Sequence, residues 1–197
     1  YEKAAYAGMA EGYFRLGVCY EIGIGVTADM DTSVKQFQKA ASMDHPAAEH
    51  KMASLYLNGR GVPRDVNQGM TLLAKSAENW APAGNELAFI YVNGLYGQTV
   101  DQKKALSYFP KAAEQGNLEA MKNLAIMLKD GAGGKADPQA ALRWYLIAQK
   151  AGFNPPDRPT VIDGLKKKLK PAQIKQAETD ADKWLAAARA RNQQPAQ

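Results

Sequence analysis

Gly59-Arg60-Gly61-Val62-Pro63-Arg64-Asp65 recurs, in altered form, three more times along the chain. The same columns hold Gly23-Ile24-Gly25-Val26-Thr27-Ala28-Asp29 upstream. Downstream they hold Leu95-Tyr96-Gly97-Gln98-Thr99-Val100-Asp101 and Gly131-Ala132-Gly133-Gly134-Lys135-Ala136-Asp137. The aspartates at 29, 65, 101 and 137 stand 36 residues apart. Such a period marks stacked supersecondary units, none of which can bury its apolar face alone. Gly23, Gly59 and Gly131 supply the left-handed residue that ends a helix. Each aspartate then opens the next helix, because its carboxylate can accept from the orphan N–H groups of a first turn. Pro138, directly after Asp137, sits where a missing N–H costs nothing.

Working outward, each loop lies between an inner and an outer helix. The outer-helix motifs are Phe37-Gln38-Lys39-Ala40-Ala41, Leu73-Ala74-Lys75-Ser76-Ala77, Phe109-Pro110-Lys111-Ala112-Ala113 and Tyr145-Leu146-Ile147-Ala148-Gln149. Tyr1-Glu2-Lys3-Ala4-Ala5 has the same form and reads as the end of another. Val34, Met70, Leu106 and Leu142 open the buried side of these helices. A kink is expected at Pro110, which removes one hydrogen bond and crowds the turn before it. The inner helices start near Met9, His45, Ala81 and Asn117. At a constant step of 36, their apolar columns are Leu16, Met52, Ala88 and Leu124, then Tyr20, Tyr56, Val92 and Leu128. These lie four apart, on one face. Gly17, Ala53 and Ala125 keep a neighbouring column small, and Phe89 breaks it.

The pattern stops after Gly152. The expected division is residues 1–152 as the repeat array and 153–197 as a C-terminal helical cap with a disordered tail from Asn192. Asn154-Pro155-Pro156-Asp157-Arg158-Pro159 reads as a rigid, non-helical turn. A short helix from Val161 to Leu169 follows. A long one then runs from Pro171 to Arg191 on an apolar face of Ile174, Ala177, Ala181, Trp184, Leu185 and Ala188.

Hydrophobic residues make up 46% of 197, and no apolar run reaches the length of a membrane span. The lone Cys19 rules out an internal disulfide framework and reads as a buried structural thiol. The net charge of +5 is concentrated after residue 152, where 9 Lys and Arg face 5 Asp and Glu. The near-neutral repeat body argues against nucleic acid. The cluster Lys166, Lys167, Lys168, Lys170 and Lys175 reads as a solvated face, with an anionic membrane surface as the lesser alternative. Because the chain opens at Tyr1, within a repeat and without an initiator Met, a fragment or processed product is expected.

The runs Ala120-Met121-Lys122-Asn123-Leu124-Ala125-Ile126-Met127-Leu128-Lys129-Asp130-Gly131 and Leu55-Tyr56-Leu57-Asn58-Gly59, together with the loop that follows Gly59, resemble the Sel-one-like (SLR) repeat family. Lys111-Ala112-Ala113-Glu114-Gln115-Gly116-Asn117 does too. The resemblance covers residues 1–152. It implies an all-α fold related to the tetratricopeptide repeat, with helix pairs stacked into a right-handed superhelical solenoid. Some secreted members carry paired cysteines in each repeat, and this chain does not. Gly94 falls one place early in the third loop, so that turn is expected to differ.

Chemistry-bearing groupings are sparse. Gly131-Ala132-Gly133-Gly134-Lys135 lacks the preceding strand and the following Ser or Thr of a phosphate loop. His45 and His50 are five apart, so they occupy different helix faces and lack metal-ligand spacing. No Ser/His/Asp grouping suggests a nucleophile. The expectation is a non-enzyme without metal or cofactor.

The resemblance implies that inner helices line a concave side, so their variable columns are the candidate site. These are Phe14, His50, Glu86 and Lys122; Arg15, Lys51, Leu87 and Asn123; and Val18, Ser54, Ile90 and Ile126. Arg15, Lys51 and Lys122 would make the groove positive, and Asn123 could hydrogen-bond a peptide backbone. The reading is a scaffold or adaptor holding a protein or peptide partner. The resemblance also implies a periplasmic or envelope-associated bacterial setting, in signalling, localisation or complex assembly. The alternatives are an envelope ligand binder for peptidoglycan or a β-lactam-like compound, and a structural segment of a larger membrane-anchored scaffold.

Overall fold

A computed structural model describes residues 9–153 and 158–193. The Tyr1–Ala5 motif, Asn154–Asp157 and the tail from Gln194 lie outside them. Among the described residues every regular element is helical: α1 (Ala10–Ile22), α2 (Met30–Ala41), α3 (Pro46–Asn58), α4 (Val66–Ser76), α5 (Ala81–Asn93), a 3-10 turn (Leu95–Gly97), α6 (Gln102–Glu114), α7 (Leu118–Asp130), α8 (Pro138–Lys150), α9 (Arg158–Lys166) and α10 (Pro171–Gln193). The chain divides into two compact units, residues 1–87 and 88–197, with the division inside α5.

The four loop aspartates act as caps. Their carboxylates accept from the N–H groups of Thr32, Gln68, Lys104 and Ala140 at 3.1, 3.0, 2.9 and 2.9 Å. Each aspartate's own N–H reaches back to the preceding inner helix, to the carbonyls of Tyr20, Tyr56, Tyr91 and Leu128. Outer helices keep the step of 36, since Phe37, Leu73, Phe109 and Tyr145 are all buried.

The third inner helix does not keep it. At the turns before α3, before α7 and after α8, the closing N–H groups of His45, Asn117 and Phe153 reach back five residues. Trp80 reaches back only four, to Ser76. The left-handed residue of those turns, Asp44, Gly116 and Gly152, has no counterpart before α5, where Trp80 holds its place in the numbering. The turn is one residue short. The loop after α5 is longer than its counterparts by one residue, with Gly94 and Tyr96 both left-handed (φ 64° and 55°), and it restores the register at Asp101.

The whole of α5 is therefore displaced by one position, and its burial follows. The small buried column is Gly17, Ala53, Ala88 and Ala125, and the large one is Leu16, Met52, Leu87 and Leu124. Tyr91, not Val92, matches Tyr20 and Tyr56. This corrects the constant-step reading, in which Phe89 interrupted the small column. Phe89 is 48% exposed.

Within the first unit, small residues allow close approach. A Cβ on Gly17 would stand 2.6 Å from the Phe37 ring, and one on Gly69 would stand 2.7 Å from Leu57. Ser33 and Ser76 are buried but satisfied, donating to the carbonyls of Gly17 and Pro46 at 2.8 and 2.7 Å. Glu49, buried beneath the α2–α3 turn, meets Lys75 Nζ at 2.6 Å. Its Oε1 has no aligned donor, so the contact is ionic. Asp44 and then Glu49 hold the Lys75 ammonium above the usual lysine range.

In the second unit α8 is the most enclosed element, burying Leu142, Trp144, Tyr145, Leu146 and Ile147. Both α9 and α10 pack on it. The short helix begins at Arg158 and ends at Lys166, earlier at both ends than the expected Val161–Leu169. Pro159 is tolerated because it falls in the first turn. The long helix continues to Gln193, so Asn192 is helical. Ala177 and Ala181 are buried, whereas Ile174, Trp184, Leu185 and Ala188 are half-buried. Trp184 meets Trp144 edge-on at 6.1 Å and donates from Nε1 to Glu114 at 2.5 Å. Pro110 lies inside α6, which is helical on both sides of it. Cys19 is half-buried rather than fully enclosed.

Candidate functional site

The inner helices present one face to their outer partners and leave another available. In the first unit that second face begins with Phe14, Arg15 and Val18 on α1. Phe14 stacks on the His45 ring at 4.9 Å and tilts against Phe37 at 5.7 Å. His45 is held at both ring nitrogens. Nδ1 accepts from the Ala48 N–H at 3.2 Å, capping α3, and Nε2 lies 2.8 Å from Glu11. An acceptor at Nδ1 requires the proton to sit on Nε2, which donates to the carboxylate. Arg15 pairs with the same Glu11. Arg15 and then His45 hold the Glu11 carboxyl below its usual range.

One repeat on, Lys51 Nζ lies 2.7 Å from Glu21, whose nearly buried carboxylate also takes Arg60 at 3.3 Å. His50 Nε2 meets Glu86 at 2.6 Å. Ser54 is half-buried, and its carbonyl accepts from Asn58. In the second unit Lys122 pairs with Glu119, and its ammonium lies 5.6 Å from the Phe153 ring centre. Asn123 is half-buried and Ile126 is 38% exposed.

Two expected positions do not face outward. Leu87 and Ile90 are each 1% exposed. The one-residue displacement of α5 is the reason: at 35 rather than 36 residues from α3, the outward columns take Asn85, Glu86 and Phe89. Phe89 is thus a residue that constant-step reasoning missed, and the early Gly94 was the signal for it.

The expected run of positive charge is also absent as free charge, because Arg15, Lys51 and Lys122 each have a carboxylate partner. In the first unit the paired charges lie beside Phe14 and Val18, which are half-buried against Phe37 and Met52; in the second unit the exposed apolar positions are Phe89 and Ile126. A ligand would have to exchange ion pairs for its own or settle on the apolar positions. Among the described residues no three His, Cys, Asp or Glu side chains are grouped to hold a metal ion, and no helix is long and apolar enough to cross a membrane.

The Sel1 repeat family model matches residues 10–45, 46–79, 81–117 and 118–153. Matches of 34 and 37 residues flank Trp80 and mirror the short turn and long loop. The chain is 31% identical over 182 residues to the chitin synthase regulator SKT5 of Saccharomyces cerevisiae, covering 78% of this chain and 26% of that protein. It is 30% identical over 137 residues to the exopolysaccharide production negative regulator of Rhizobium leguminosarum bv. viciae, covering 62% of this chain and 51% of that one. The chain therefore spans between about a quarter and a half of these relatives. A crystal structure of a Sel1 repeat protein from Oxalobacter formigenes superposes with a TM-score of 0.75 at 29% identity, over 85% of this chain and 48% of that one. Sel1 repeats generally mediate protein interactions. With family matches running almost unbroken from residue 10 to residue 153, and the outer-helix spacing that defines the repeat kept throughout, this chain belongs to the Sel1 repeat family.

Proposed function

We propose that the chain is a non-enzymatic scaffold that holds a segment of a partner protein on the outward face of its inner helices. The observation that carries this reading is the contrast between columns. Core columns keep one size class in all four repeats, while the outward columns change from Phe14 to His50, Asn85 and Lys122, and from Val18 to Ser54, Phe89 and Ile126. Stacked repeats build an extended binding surface with little chemistry of its own. Exposed aromatic and aliphatic residues there supply anchors, and pre-paired charges supply specificity more than affinity.

Two relatives are named as regulators, the Saccharomyces cerevisiae protein of chitin synthase and the Rhizobium leguminosarum protein of exopolysaccharide production. That likeness supports reading the scaffold as part of envelope assembly or signalling, regulating a synthetic complex rather than performing its chemistry. A periplasmic or envelope-associated location belongs to the same proposal.

The test is photocrosslinking in cells from single sites. A crosslinking amino acid at Ser54, Phe89 or Ile126 is expected to trap a defined partner, whereas one at the outer-helix positions Lys35, Lys103 or Lys111 is not. Equal trapping from both sets, or trapping from the outer set alone, would overturn the assignment of the face.

A further inference from the structure

Between α8 and α10, wholly within the second unit, lies a cleft of about 300 Å³ lined by Asp137, Gln139, Ala140, Arg143, Ala177 and Asp180. Its small residues are Ala140 and Ala177, one from each helix, so the space is not filled by side chains. At one end Gln173 on α10 bridges to Gln139 on α8 at 3.4 Å. At the other, Glu114 takes Arg143 Nη2 at 3.1 Å and Trp184 Nε1 at 2.5 Å, and the guanidinium lies over Trp144 at 4.8 Å.

The polar atoms around the cleft are only half used. Asp137 spends Oδ1 on the Ala140 N–H at 2.9 Å. Asp180 spends Oδ1 on the Gln176 side-chain amide at 2.9 Å. Each keeps a second carboxylate oxygen with no partner among the described residues. Arg143 Nε is buried and has no acceptor. A buried donor without a partner costs free energy, so a native one calls for an explanation. With Glu114 already taking one arm of the guanidinium, the carboxylates here outnumber the one cation. The missing complement is a cation for the two carboxylates, with an acceptor oxygen close to it for Nε.

We propose that this cleft receives a lysine side chain from a partner's peptide segment, its ammonium between Asp137 and Asp180 and its own backbone carbonyl accepting from Arg143 Nε. An ammonium has three donors and no acceptor, which suits two free carboxylate oxygens. The carbonyl of the same residue supplies what a bare amine lacks. The proposal rests on the protein-scaffold reading but uses a different surface from the inner-helix columns.

The test is a titration of the full chain, nitrogen-15 labelled, followed through the Arg143 Nε–H resonance. The probes are acetyl-Gly-Lys-Gly-amide, the same peptide with norleucine in place of lysine, and n-butylamine. A saturable shift with the lysine peptide is expected, with norleucine inert and n-butylamine at least about tenfold weaker. Asp180→Asn, and the double variant Asp137→Asn with Asp180→Asn, should each weaken the lysine peptide by roughly tenfold or more. Asparagine at 137 still caps α8, and position 180 lies mid-helix in α10, where the change keeps size and shape; should the double variant not fold, Asp180→Asn decides alone. No saturable shift, an equal response to norleucine, or binding undiminished in the variants overturns the proposal. Binding of n-butylamine as tight as the peptide overturns its peptide source. Crosslinking from the inner-helix face is independent of all these outcomes, so the two readings fail separately.

Discussion

Helices α5 and α7 are equivalent members of consecutive repeats, yet they differ by one residue in how they enter their layer. Before α7, Gly116 takes a left-handed conformation and the chain closes its turn over five residues; before α5 that residue is missing. Both helices then bury an equivalent set of side chains, because the core selects size and polarity rather than residue number. What changes is the residue delivered to the outside. α7 turns Ile126 outward in a column otherwise held by Val18 and Ser54, and α5 turns out the larger Phe89. A deletion and a compensating insertion thus alter surface chemistry while leaving the core intact. Loops tolerate length changes far better than cores tolerate volume changes.

The largest expected break comes from placing a charge on each side of that displacement. Leu87→Asp buries an unpaired carboxylate and should cost several kcal/mol or prevent folding. Phe89→Asp should cost less than about 1 kcal/mol, as a surface change does. Urea midpoints of the two variants measure the difference, and similar losses would remove the displacement from the account.

A smaller effect sharpens the match of the small column. Gly17→Ala puts a methyl 2.6 Å from the Phe37 ring, and overpacking of this kind costs about 1–3 kcal/mol. Ala88→Gly, in the same column, should cost only about 1 kcal/mol, the helix-interior penalty of glycine. Thermal melts of both variants test the pairing.

Asp101 marks where the step of 36 resumes, and it should behave like the other caps despite the irregular loop before it. Asp101→Ala is expected to cost about 0.5–2 kcal/mol and Asp101→Asn far less. An unchanged denaturation midpoint in Asp101→Ala would mean that α6 does not depend on this cap.

The smallest effect is one of pH. The Thr32 hydroxyl, followed by its N–H, holds the Asp29 carboxyl below the usual aspartate range. A depressed folded-state value gives stability that is complete above the unfolded value and lost as pH falls through the folded one. Between about pH 5 and pH 2, stability should therefore fall less steeply in Asp29→Asn than in the parent chain. Equal slopes would contradict it.

Outer helices and caps were legible in the sequence because Asp29, Asp65, Asp101 and Asp137 each perform a local task at a constant interval. The displacement of α5 was harder to read, since apolar residues at Leu87, Ala88, Phe89 and Ile90 fit either register. Three signs favoured the displaced one: Gly94 a place early, Tyr91 in line with Tyr20 and Tyr56, and Trp80 in the column that holds Asp44 and Gly116 in the neighbouring turns. Ion pairing on the candidate face was not legible. Lys51 with Glu21, and His50 with Glu86, join residues about a repeat apart, so they depend on how neighbouring helices stack. Arg15 with Glu11 and Lys122 with Glu119 are neighbours within one helix, and spacing alone could have shown them. Asn123 and Ile126, in contrast, occupy the columns expected of them.

The central claim is which side of α5 faces the core. In a Cys19→Ser background, Leu87→Cys and Phe89→Cys would be labelled with a thiol reagent under native conditions. The displaced register predicts that the thiol at 89 reacts at once, while the one at 87 reacts roughly a hundredfold more slowly, through opening of the structure. Fast reaction at 87 with protection at 89 would contradict the account and restore the constant step.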